Sequence, residues 1–487
     1  MTLLGLLGIL IGLGQLILFA YRGWSVLLLA PLAALVAALF SREPLLAHWT
    51  QTFMVSAAGF LAQFFPLFLL GARFGKLMED SGSVAAIAAF MTQRLGTRRA
   101  VLAVVLAGAL VTYGGVSLFV AFFVLAPMAH ELFRTAGIPR RLMPATIVLG
   151  TSTFTMSAVP GTPSIQNAIP MPFFGTTPFA APGLGILASL IMLGFGLWWL
   201  NHEEANSRKS GEGFGDGVPM PSARLATDEK LRERATTARE FDPAEIVHGA
   251  VTDAPPSVAL AALPLIVVII VNLAMSLLIL PALDTRFLAE ARWGGTSLAA
   301  VGGVWSVITA LACAIVAVLA VSHRRLPALR TTMDAGANAA VLPAVSVASL
   351  VGFGAVVAAM PAFDVVRDTV LGIGGGPLVS LAVATNVLAA LTGSASGGLT
   401  IALDTLGGAY MARAAEIGLD PALLHRVAVI SSGTLDSLPH NGAVVTLLAV
   451  CGSTHRESYR DIVMVGIVGA LVALAAVIAL GAVAGSF

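Results

Sequence analysis

The chain has 487 residues, 57% of them hydrophobic and 11% charged, with a mean hydropathy of +0.91 and a formal charge of +1. A soluble protein of this length needs a far more charged surface, so the composition points to a polytopic membrane protein. Its near-zero net charge gives no reason to expect a nucleic-acid partner. Cys313 and Cys451 lie in apolar surroundings, with neither a disulfide framework nor a CxxC metal motif, and no metal site is expected.

In chain order, apolar runs predict about ten spanning helices, over 2–20, 24–40, 53–72, 143–175, 178–200, 257–283, 297–321, 338–360, 423–450 and 460–485. The first run lacks a basic leader and a small-residue cleavage site, so it reads as a retained span and not a signal peptide. Two more runs have awkward lengths. Residues 100–133 are interrupted by TYGGVS, and residues 377–413 by TGSASGG. One crossing takes about 20 residues, so each run is too long for one crossing and too short for two. A re-entrant hairpin with a glycine-rich tip fits both, provided the tip is buried in protein or faces a watery cavity.

The spans over 143–175 and 423–450 are themselves broken, by TSTFTMSAVPGTPSIQN and by SSGTLDSLPHNG. Each half therefore runs through three spans, a hairpin, a broken span and a closing span. The spacing repeats: 47 residues separate Gly114 from Gly161, and 45 separate Gly397 from Gly442. The expected organisation is an N-terminal repeat over 1–200, a mobile charged linker over 201–256 and a C-terminal repeat over 257–487. If the linker is cytoplasmic, the other loops divide 14 basic residues inside against 6 outside, as the positive-inside rule requires. That arrangement gives the halves opposite orientation. The fold class is thus all-α, an inverted-topology repeat with two re-entrant hairpins and discontinuous helices meeting at the midplane.

Paired discontinuous helices are the strongest sequence pointer to a secondary transporter. Half-helix N-termini aim unpaired N–H groups and positive dipole ends at the midplane, where an anion can dock. None of the four broken stretches contains Lys or Arg. The candidate substrate residues are Gly114, Gly115, Ser117, Thr151, Ser152, Thr153, Gln166, Asn167, Ser394, Ser396, Gly397 and Asn441. Any one hydroxyl among them could merely serve its own i−4 carbonyl. For the coupling ion, H⁺ or Na⁺, the candidates are Asp436, His440 and Thr434, with Asp404 in reserve; no other cofactor is expected. Asp436 and His440 alternatively form a structural pair that ties down their loop. Glu79 and Asp80, in GKLMEDSG, read as an interfacial helix cap. An intramembrane hydrolase lacks a GxSxG elbow or an HExxH site here, so no enzyme is expected. A channel would not call for the repeat.

TGSASGGLTIALDTLG, followed by SGTLDSLPHNGAVVTLLAVCGSTHRESYRDI, resembles the gluconate permease (GntP) family of the ion transporter superfamily. The likeness is clearest over 392–462 and nearest the branch for short hydroxy acids such as 3-hydroxybutyrate. It implies symport of a small organic anion with a cation, often H⁺, across a bacterial inner membrane. It also implies a homodimer, with the early spans as scaffold and the hairpins as the moving part.

Overall fold

Long runs of Leu, Ala and Val with few breakers form helices, and in lipid a helix satisfies its backbone groups internally. The computed structural model describes residues 2–22, 24–215, 250–252, 254–439 and 441–487, and all regular structure among them is helical. His440 and most of the expected linker lie outside the described residues.

In chain order the helices are α1 (Thr2–Tyr21), α2 (Val26–Ser41), α3 (Leu45–Asp80), α4 (Ser83–Leu95), α5 (Ala100–Tyr113), α6 (Leu118–Ala136), α7 (Leu142–Thr151), α8 (Pro182–Ser210), α9 (Val258–Ala282), α10 (Leu298–Ser322), α11 (Leu329–Ala359), α12 (Phe363–Leu371), α13 (Gly376–Thr392), α14 (Ala395–Ile417), α15 (Pro421–Thr434), α16 (Gly442–Val450) and α17 (His455–Ala484). Among the described residues seven helices are long and apolar enough to cross a membrane, or eight if α4 and α5, bent by 100°, make one broken span. The chain is a multi-pass membrane protein.

The count falls short of the expected ten because the two broken stretches divide into pieces. α7, α15 and α16 have 10, 14 and 9 residues, none long enough to span alone. α2 and α13, of 16 and 17 residues, are apolar but also short. α3 departs the other way. Expected over 53–72, it runs for 36 residues, Leu45–Asp80. Lys76, Glu79 and Asp80 extend it as helix because spacings of three and four place them together on one face, where they pair. Glu79 and Asp80 are the last two residues of the helix, and Ser81 is its C-cap. α8 also continues to Ser210, into the stretch read as linker.

α1 packs on α2, α2 on α11, and α11 on α3 and α14. α9 packs on α10 and α4, and α10 on α3; elsewhere α5 meets α7, α13 meets α14 and α15, and α8 meets α17. Two tight turns reverse the chain between apolar helices. The first joins α5 to α6 through Gly115, at φ +94°, and the second joins α13 to α14 through Gly393, at φ +64°. Both lie in the left-handed region, which glycine enters without steric cost. α13 and α14 also touch backbone to backbone: a Cβ on Gly398 would sit 2.2 Å from the Ala389 nitrogen.

Candidate functional site

A cavity of about 220 Å³ opens where α3, the first turn, the first break and α11 converge, with one residue contributed by the second turn. Its polar lining is Lys76, Glu79, Thr112, Ser117, Ser164, Gln166 and Ser396; its apolar lining includes Phe68, Phe119, Met156 and Leu311. It is smaller than the roughly 300–1,000 Å³ typical of drug-sized sites, so it suits a small molecule.

The first turn is placed by its own chemistry. Ser117 is the N-cap of α6, its Oγ accepting the Phe119 N–H at 3.4 Å. The first-turn N–H groups of a helix lack intrahelical partners, and the start of α6 is directed at the cavity, whose wall includes Ser117, Leu118, Phe119 and Val120. Tyr113 donates its hydroxyl to Pro160 O at 2.9 Å, fastening this turn to the first break. Pro163 packs beside Gly115, where a Cβ would come within 3.1 Å of its ring. Gly114 lies against Leu265 of α9.

Within the first break the hydroxyls mostly serve the backbone. Thr151 donates to Ile147 O at 2.7 Å and Thr153 to Leu149 O at 2.8 Å, and the Ser152 hydroxyl pairs with that of Thr151. Of the expected substrate residues, Thr151, Ser152 and Thr153 do not line the cavity. Thr151 and Thr153 close i−4 bonds where α7 ends, the structural use of such hydroxyls. Asn167 is also taken up. Its Nδ2 donates to Thr162 O and Pro178 O, each at 3.0 Å, and its Oδ1 lies 3.1 Å from His425 Nε2. It holds the irregular loop together and is fully buried away from the cavity. Gln166 lines the cavity, with no side-chain hydrogen bond among the described residues.

The second turn reaches the cavity through Ser396 alone. Ser394 caps α14, accepting the Gly397 N–H at 3.2 Å, and its Oγ is 3.3 Å from that of Ser396. Gly397 packs against Leu350 of α11. No described residue of the second break lines the cavity, although all four interrupted stretches were expected to meet there. Asn441 is instead the N-cap of α16 and donates to Gly393 O, so the break packs behind the turn. Asp436, half-buried, accepts from Asn441 Nδ2 at 2.8 Å. Thr434 is buried and bonded to Asn386 of α13. Asp404 sits on an exposed face of α14, not in the cavity. His440 lies outside the described residues.

The sequence reading missed Lys76 and Glu79 as residues of the site. Both line the cavity, at 6% and 8% exposure. The available signal was the spacing of Lys76, Glu79 and Asp80 at the end of an apolar run, which puts a cation and two carboxylates on one helical face. Arg426 is a second buried cation that the sequence reading missed. It is fully buried in α15, donating to Ala158 O at 3.1 Å and to Ala180 O, and so ties the middle of the first break to the loop just before α8.

The GntP family permease model matches residues 4–171, which include the first turn and the whole of the first break. The resemblance read from the sequence lay in the other half, over 392–462. The chain is also 40% identical over 465 residues to the Uncharacterized transporter YxjC of Bacillus subtilis (strain 168), covering 93% of this chain and 94% of that one. Likeness across nearly the whole of both proteins takes in every helix that shapes the cavity. The chain belongs to the GntP family of permeases.

Proposed function

We propose that the protein is a secondary transporter that carries a small organic anion, a hydroxycarboxylate or sugar acid such as 3-hydroxybutyrate or gluconate, in symport with a cation. One observation carries the reading. A single small cavity receives the capped start of α6, Ser396 from the start of α14, and Ser164 and Gln166 of the first break. Helix starts and hydroxyls are suited to a carboxylate and its neighbouring hydroxyls. The order of elements supports a duplication: α5, α6 and α7 are followed, after the first break, by α8, as α13, α14 and α15 are followed, after the second break and the short α16, by α17. In this reading the halves are inverted, the two turns are re-entrant tips, and alternating access exposes the cavity to each side in turn. The protein is taken as a homodimer in a bacterial inner membrane, with the 201–256 segment cytoplasmic. The coupling ion is taken to be H⁺.

The test is uptake by purified protein in liposomes, with a panel of labelled carboxylates and an imposed proton gradient, sodium gradient or neither. The expected result is saturable accumulation driven by the proton gradient. Drive by sodium alone would replace the coupling ion. Uptake indifferent to both gradients would remove symport, and unsaturable conductance would favour a channel. A tag at residue 215 reachable only from outside the cell would reverse the orientation.

A further inference from the structure

An anion held by helix starts and hydroxyls alone would lack a full positive charge beside it, and the four broken stretches contain no Lys or Arg. The cavity nevertheless holds a cation. Lys76 Nζ lies 3.2 Å from Glu79 Oε2 and 3.0 Å from Asp80 Oδ1. The two carboxylates differ in their other contacts. Asp80 is fully buried, and its Oδ2 accepts the Thr332 hydroxyl from α11 at 2.6 Å. It does not line the cavity, whereas Glu79 does. Asp80 is therefore a fixed partner, and Glu79 is the one a ligand can displace. The three groups together carry a formal charge of −1, from one ammonium and two carboxylates, in a setting where net charge is costly.

We propose that Lys76 is the carboxylate-binding group of the cavity and Glu79 its resident counter-ion: a substrate carboxylate takes over the ammonium as Glu79 accepts a proton. This rests on reading the cavity as the anion site. The charges balance. Loaded, Lys76 contributes +1, Asp80 −1, the substrate −1 and protonated Glu79 nothing, again −1 in total. A hydronium ion in the water facing the cavity loses one O–H bond, and Glu79 gains one. One proton and one monoanion cross together.

The charged groups acting on Glu79 are Lys76 and Asp80. On the elements packed against α3, Arg330 and Asp334 of α11 face each other at the surface, and Glu131 and Arg134 pair at the far end of α6. His130 lies at that same far end, and Arg94 is in the last turn of α4. Beyond the end of α10, His323 and Arg324 are exposed, and Arg325 donates to Val321 O.

The test has two readouts. The first needs no ligand. Infrared spectra of the full-length protein titrated from neutral to acid pH should show a protonated-carboxyl C=O band that disappears in Glu79→Gln; a band unchanged in that variant overturns the proposal. The second is liposome uptake of whichever panel carboxylate the wild type accumulates. Lys76→Met alone strands two buried carboxylates, so the charge-matched triple variant Lys76→Met, Glu79→Gln, Asp80→Asn is used as well. It should raise KM by about tenfold or more, the weight of a charge-assisted contact. Glu79→Gln should flatten the pH profile of the uptake that remains. Unchanged KM and pH profile in these variants would overturn the proposal while leaving the transporter reading intact. A wild type that accumulates no carboxylate would instead overturn the transporter reading.

Discussion

Asn441 holds three groups at once. Its Oδ1 accepts the Ala443 N–H at 2.7 Å, and its Nδ2 donates to Gly393 O and to Asp436 Oδ1. Asn441→Ala should therefore remove a helix cap and loosen the second turn, at a cost of about 1–2 kcal/mol. Thermal unfolding of the detergent-solubilised variant measures this; an unchanged melting temperature would mean that the cap carries no weight. At this scale the sequence showed where polar residues gather but not how each is used. Thr151 and Thr153 stand in a conspicuous cluster, yet their hydroxyls are spent on carbonyls one turn back. Asp404 has an apolar sequence context but an exposed side chain. The direction of a side chain depends on which helix face meets a neighbour, and a single sequence does not specify that. Lys76 was hidden for the opposite reason. A lysine near a span end looks like a loop residue until its two carboxylate partners are placed with it.

Helix contacts set which glycines can change. A Cβ on Gly398 would lie 2.2 Å from the Ala389 nitrogen and 2.5 Å from the Leu388 carbonyl carbon, both backbone atoms that cannot rotate away. Gly398→Ala should force α13 and α14 apart, costing about 1–3 kcal/mol or more. Gly75→Ala is the contrast. Its Cβ would meet the Ser117 nitrogen at 3.6 Å, an ordinary contact, and alanine is the better helix former by about 1 kcal/mol. Folded yield and melting temperature should fall for the first and hold or rise for the second; equal behaviour would contradict the packing described. The helices on either side of both tight turns were legible because Gly and Ser punctuate long apolar runs. The full length of α3 was not, because hydropathy falls off at Lys76 while the helix continues on paired charges.

Over the whole molecule, an ionic cluster ties the start of α7 to the ends of two distant helices. Arg141 pairs with Glu203 at 3.1 Å, Glu212 at 3.0 Å and Asp461 at 2.8 Å, and Trp199 Nε1 donates to Asp461 at 3.0 Å. Burial pushes the Glu212 carboxyl up, but hydrogen bonds from Arg141 and Ser207 outweigh it and hold the group below its usual range. A depressed carboxyl stabilises the fold above its unfolded pKa, and that contribution is lost as pH falls through the folded value. The melting temperature should accordingly drop on acidification below about 4.5, the ordinary glutamate value, and less so in Glu212→Gln. A variant with the full acid sensitivity of the wild type would refute the assignment. Nothing in the sequence joined Arg141 to Asp461, 320 positions away, because such a contact exists only once α7, α8 and α17 are packed.

The shared ammonium of Lys76 has an energetic corollary. On the proposed exchange the site bears the same charge empty and loaded, so a transmembrane voltage does no work on the loading step, although 100 mV is worth about 2.3 kcal/mol to each unit charge carried across. Only acidity remains as the source of uphill movement. Accumulation should then saturate at about tenfold for each pH unit across the bilayer, since one unit is worth about 1.36 kcal/mol per proton. A potassium diffusion potential imposed on the liposomes should leave that ceiling where it is.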